Sequence, residues 1–194
     1  RDEARFIVET VVKRKTVFNQ PYGTMAVLYR TNAQSRVVEE AFVKSGIPYT
    51  IVGGVKFYDR KEIKDMLAYL RVLNNPNDSL SLLRIINVPR RGIGDTSVGR
   101  LTDHATAQEL TLFDVVSNPD LVPGLTARAK RPLEDLAELV FNLMAAKDQL
   151  AVAELIETIM RNSGYLTELE NEQTPQSEAR IENLREMLSV AKDF

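Results

Sequence analysis

Only two stretches of this 194-residue chain read as β-strands, and both end before residue 53. The first is built on the apolar run Met25-Ala26-Val27-Leu28 and extends from Thr24 to Tyr29. The second is Tyr49-Thr50-Ile51-Val52. Between them, Val37-Val38-Glu39-Glu40-Ala41-Phe42 has helical apolar spacing, which predicts a helix from about Ala33 to Lys44. Ser45-Gly46 ends that helix, and Ile47-Pro48 starts an extended segment. Strand, helix, strand is the order of a parallel unit. Parallel sheets are normally buried on both faces, which two strands cannot achieve. The first part of the chain therefore reads as a piece of a larger α/β sheet.

After Gly53-Gly54 the pattern becomes helical. Ile63, Met66, Leu67, Leu70 and Leu73 share one stripe. Asn74 to Asp78 breaks it, and Ser79 is placed to cap a helix from Leu80 to Asn87. Further helices are expected over Thr96–Ala107, Thr111–Val116, Ala127–Asp148, Ala153–Asn162 and Gln176–Lys192. Ahead of the first strand, Asp2 to Arg14 reads as a helix with Phe6, Ile7, Thr10 and Val11 on one face. The expected class is mainly α with a small α/β portion: residues 1–57 as the incomplete α/β unit, and residues 58–194 as an all-helical domain.

Composition narrows the chemistry. A net charge of −2 and a pI near 5.6 mean that any nucleic-acid contact rests on local basic clusters rather than a global field. With no cysteine there is no disulfide framework or thiolate metal site. A reducing cytoplasm fits that composition. The single His104 cannot anchor a multi-histidine metal site. No apolar run reaches the roughly 20 residues that span a bilayer, so no membrane partner is expected. The chain opens on Arg1 with no methionine or signal peptide, as expected of a piece of a longer protein.

Two clusters could carry chemistry. Tyr29-Arg30-Thr31-Asn32-Ala33-Gln34-Ser35-Arg36 sits where the first strand turns into a helix, the place where open α/β sheets bind ligands. Arg30 and Arg36 can make charge-assisted bonds to phosphate, and Asn32 offers both donor and acceptor. Equally, Asn32 and Ser35 can cap the helix while the arginines stay solvated. The second cluster is Asn87 to Thr96. Gly92 and Gly94 let a backbone approach phosphate closely and present free N–H groups, and Thr96 opens a helix whose N-terminus favours an anion. Arg90 and Arg91 add charge without reading base identity. The alternative is an ordinary corner between helices, with glycine for geometry and Thr96 as a cap; the charge of Asp95 opposes phosphate. Arg60, Lys61 and Lys64 alternate with Asp59, Glu62 and Asp65, so that face is expected to neutralise itself. Glu39, Glu40, Glu182 and Glu186 read as solvated. From Arg161 to Phe194 acids outnumber bases, which favours an intramolecular or protein-partner surface over DNA. No phosphate loop or magnesium-holding acidic pair is present, so neither catalytic nor metal-ligating residues are expected.

Three segments resemble motifs of the superfamily 1 DNA helicases of the PcrA/UvrD/Rep type, nearest to the PcrA branch, the first of them a motor-domain motif. They are Ala26 to Phe42, Ile51-Val52-Gly53-Gly54-Val55-Lys56-Phe57-Tyr58-Asp59-Arg60 on to Asp65, and Asn87 to Thr96. They occur in family order and at family spacing, and weaker similarity runs to the end of the chain. The resemblance implies the start of the second RecA-like motor domain over 1–57 and a helical accessory domain, inserted into that motor, over 58–194. It implies single-strand contacts from Arg30, Asn32 and Lys56. It further implies that the turn of Arg90, Arg91, Gly92, Gly94 and Thr96, which is similar to a helix-hairpin-helix turn, holds duplex phosphate. Lys56 has an alternative as an exposed hinge lysine, and Phe57 and Tyr58 are expected to pack rather than stack on bases. The implied parent is an ATP-dependent 3′→5′ helicase using ATP and Mg²⁺, with no cofactor in this piece. Implied partners are single-stranded DNA and the duplex junction, without sequence preference, the other motor domains and regulatory proteins. The reading from another class is a non-catalytic helical protein-interaction or autoinhibitory module.

Overall fold

The computed structural model describes residues 2–192, which form ten α-helices joined by short 3₁₀ turns and extended segments. Helix α1 (Asp2–Val17) packs against α2 (Ser35–Lys44). Val11, Phe42 and Ile47 form a small core there, with Ile7, Val8, Met25, Val27 and Val38 against it. Phe6 is not on that face: it is 67% exposed, and Ala4 and Val11 are the buried positions.

The two expected strands do not form among the described residues. Residues 25–29 and 47–51 carry no regular secondary structure, and no ladder joins them. Leu28 and Val52 are each 93% exposed. Their apolar character marks them as strand residues, yet a strand also needs a neighbour for its backbone N–H and C=O groups, and none lies beside them.

The large core begins at Phe57 and runs to Ala191. Its axis is α3 (Lys61–Asn74), where Ile63, Met66, Tyr69 and Val72 are fully buried. Around α3 pack α4 (Ser79–Ile85), α7 (Ala127–Ala146), α8 (Val152–Asn162) and α10 (Pro175–Ala191). Each fully buried Leu or Ile there contributes about 1.5–3 kcal/mol relative to exposure. Helices α5 (Asp95–Ala107) and α6 (Leu112–Ser117) extend the bundle through Leu101 and Val116.

Caps set several boundaries. Asp78, rather than Ser79, caps α4: its carboxylate accepts from the Ser81 N–H at 3.0 Å. Bonds to Ser81 hold that carboxylate below the usual range. Thr111 and Asp114 form a capping box on α6. Helix α9 (Tyr165–Glu172) has no counterpart among the expected elements. Gly164 enters it at φ +79°, and Tyr165 and Leu169 anchor it in the core. None of the described helices is long and apolar enough to cross a membrane.

Candidate nucleic-acid interface

The first site is built on a 3₁₀ turn, Asn32–Gln34, that leads into α2. Gln34 Oε1 accepts from the backbone N–H groups of Arg30 and Thr31, at 3.0 and 3.2 Å. That is the glutamine half of a capping box, reaching back to the Thr31 N–H, and it fixes the chain as it enters the turn. The side chains of Arg30 and Asn32 are exposed, and neither has a protein hydrogen-bond partner among the described residues. Asn32 faces Gly54: a Cβ built on Gly54 would lie 3.9 Å from Asn32 Oδ1. Lys56, two residues further on, is exposed, with its Nζ 5.3 Å from the Tyr49 ring centroid. The structure thus brings Asn32 beside the segment that carries Lys56.

Two buried side chains hold these segments together. Glu39 accepts from Ser35 Oγ at 2.6 Å and from the backbone N–H of Phe57 at 3.2 Å. Arg60 donates to the Asn32 carbonyl at 2.9 Å, to Ser35 Oγ at 2.7 Å and to Asn183 Oδ1 at 2.7 Å. Burial pulls the Arg60 guanidinium below its ordinary pKa, yet arginine stays charged at any physiological pH. Phe57 is buried at 1% exposure beneath Arg60, and Tyr58 remains 49% exposed with its hydroxyl on Glu40 at 3.1 Å.

Arg36 is not available to phosphate. It is buried and pairs with Glu40 and with Glu186 of α10, each at 2.7 Å. Burial opposes its charge, but the two carboxylates outweigh that and raise its pKa. Glu39, Glu40 and Glu186 are therefore engaged rather than solvated. The Asp59–Asp65 stretch is also neutralised differently from the expected helix pairing. Lys64 pairs with Asp59 at 2.8 Å, but Glu62 bonds Asn183 on α10, and Asp65 bonds Arg84 and Tyr165. Burial, then the charge of Asp65, pushes the Tyr165 hydroxyl far up, so it acts as a donor.

The second site is the corner between α4 and α5. The side chain of Asn87 accepts from the N–H groups of Arg91 at 2.8 Å and Ile93 at 3.4 Å, folding the loop over itself. Ile93, at 2% exposure, pins it to the core. Gly92 has φ +77°, whereas Gly94 has φ −86° and caps α5 from an extended conformation. Asp95 and Thr96 open α5, and Thr96 is exposed. Arg90 is exposed, with its backbone N–H on Glu168 at 3.0 Å. Arg91 turns inward: Nη1 donates to the carbonyls of Ile85 and Val88 at 2.8 and 3.1 Å, and Nη2 to the Tyr69 hydroxyl at 2.6 Å. Arg91 therefore closes the end of α4 and ties it to α3, while Arg90, Gly92, Gly94 and Thr96 face solvent.

The roles of Arg60, Glu39, Asn183, Asn87 and Tyr69 escaped sequence reasoning. Asn87 alone carried a local signal, since asparagine ahead of a turn favours side-chain to backbone bonds. The others depend on partners distant in sequence.

The chain matches the UvrD-like helicase C-terminal domain over residues 1–194, and it belongs to that family. It is 46% identical over 194 residues to the ATP-dependent DNA helicase PcrA of Staphylococcus epidermidis, and 45% identical to that of Staphylococcus aureus. All of this chain is covered, but only 26% of either relative, so the chain spans about a quarter of their length.

Proposed function

We propose that the chain is the part of an ATP-dependent 3′→5′ DNA helicase that grips the single strand and anchors the duplex. Residues 1–57 would be the start of the second motor domain, and residues 58–194 the accessory domain. Arg30, Asn32 and Lys56 would contact the strand. Arg90, Gly92, Gly94 and Thr96 would hold one duplex phosphate through backbone N–H groups, a hydroxyl and one mobile charge, with Arg91 shaping the loop. The observation that carries this reading is the joining of the Asn32 turn to the Lys56 segment. Glu39 and Arg60 unite two exposed polar groups that the chain separates by 24 positions.

ATP and Mg²⁺ belong to the parent in this reading. Glu39, Glu62 and Asp65 already accept bonds from protein donors, and the sequence has no G-x-x-x-x-G-K-[ST] nucleotide loop, so these residues do not fit a nucleotide site. Other segments of the parent would supply it, would cover Leu28 and Val52, and would work in the cytoplasm with regulatory proteins.

The test is a titration of the full-length helicase with single strand, blunt duplex and tailed duplex at several salt concentrations. Arg30→Ala and Asn32→Ala should each weaken single-strand binding by roughly 1–3 kcal/mol and leave blunt-duplex binding intact. Unchanged strand affinity in both would leave Asn32 a solvated turn residue and favour a protein-interaction module.

A further inference from the structure

Arg60 lies at 7% exposure, and its side chain ties together two chain segments distant in sequence. One arm of the guanidinium, Nη2, holds the Asn32 carbonyl and Ser35 Oγ; the other, Nη1, holds Asn183 Oδ1 on α10. Asn183 is itself 5% exposed, and its Nδ2 donates to Glu62 Oε1 at 2.5 Å. The result is a relay from Glu62 through Asn183 and Arg60 to the backbone of Asn32. One turn along α10, Glu186 makes a second tie to Arg36. Helix α10 thus meets the Asn32 turn and the start of α2 through polar groups, while its other face packs in the bundle beside α3, α8 and α9. A buried charge is a costly fastener, because apolar groups of equal volume stabilise as well or better. What a planar guanidinium supplies is direction: its donors fix the angle between the elements they join.

We propose that Arg60 and Asn183 are positioning residues for the single strand. Through them α10 sets the orientation of the Asn32 turn, which couples the helical bundle to the strand grip. The proposal rests on the reading of Asn32 as a strand contact. It explains why Asn183, 151 positions after Asn32, is buried among polar groups rather than replaced by a core leucine.

The experiment uses the full-length helicase and measures strand-stimulated ATP hydrolysis against the concentration of a single-stranded oligonucleotide. In Asn183→Asp the new carboxylate still accepts from Arg60 but faces Glu62 with like charge, so the relay breaks. In the double variant Glu62→Gln with Asn183→Asp, the new amide at 62 donates to the carboxylate at 183, and the relay closes with donor and acceptor exchanged. The strand concentration for half-maximal rate should rise roughly three- to tenfold in Asn183→Asp, while the rate at saturating strand is kept. The double variant should restore the wild-type value. Asn183→Ala, which adds no charge, should act like Asn183→Asp and serves if the latter does not fold. Asn32→Ala runs alongside. If Asn32→Ala raises the half-maximal concentration but the Asn183 variants do not, or the double variant gives no rescue, positioning by α10 is overturned and the strand contact stands. If Asn32→Ala has no effect, both fall.

Discussion

Gly92 and Gly94 stand two positions apart in one corner, yet different constraints act on them. Gly92 holds φ +77°, so Gly92→Ala is strained and should cost about 1 kcal/mol or somewhat more in a denaturant melt, although no atom crowds its Cβ. Gly94 has an ordinary φ of −86° and open space around it, so Gly94→Ala should leave stability within about 0.5 kcal/mol. A duplex titration then reads its backbone approach to phosphate free of folding effects. The neighbouring arginines divide in the same way. Arg90→Glu should flatten the salt dependence of duplex binding by about one phosphate contact and leave the melt unchanged. Arg91→Ala should instead destabilise, by about 1–3 kcal/mol, because buried carbonyls and the Tyr69 hydroxyl lose a charged donor. If Arg91→Ala melts like wild type and Arg90→Glu leaves the salt slope alone, these assignments are reversed.

At the scale of elements, α3 reaches the corner through Tyr69. Its hydroxyl donates to the Val88 carbonyl at 2.6 Å and accepts from Arg91, and burial raises its pKa. Tyr69→Phe keeps the ring and removes both bonds, so it should lower stability by about 1–2 kcal/mol and loosen the loop. Amide exchange resolved by residue should speed up over Asn87–Ile93 and stay unchanged in α7; a uniform change would make Tyr69 a packing residue only. The remaining helices follow apolar periodicity, and the expected boundaries are met within a few residues wherever the stripe is long. Helix α9 escaped because eight residues with two buried anchors present too little periodicity. The two strands fail for the opposite reason. Met25–Leu28 and Tyr49–Val52 have strand composition, but a strand exists only through pairing, and no partner strand stands beside them among the described residues.

Across the whole molecule, two cores of unequal size are joined by polar ties. The small one rests on Val11, Phe42 and Ile47, and exposed Leu28 and Val52 add nothing to it. The large one carries the bundle. Amide exchange of the chain alone should therefore be fast over residues 2–52 and slow in α3 and α7, by roughly 2 kcal/mol or more of local opening energy. Equal protection in both regions would mean that the small core needs no further cover.

The sequence by itself determined the helical class, the position of every helix but α9, the Gly-Ile-Gly corner and the exposed polar cluster before α2. Those features depend on periodicity, glycine geometry and composition, which act over a few residues. Only the tertiary structure decided which charges remain free. Arg30, Arg36, Arg60, Arg90 and Arg91 are alike as residue types, and spacing does not sort them. Arg36 finds Glu186 across 150 positions and Arg60 finds Asn183 across 123, while Arg91 folds back onto carbonyls and Tyr69. A guanidinium is taken out of water only where donors and acceptors converge on it, and that convergence is made by the packing of α10 and α3 rather than by any local stretch of chain.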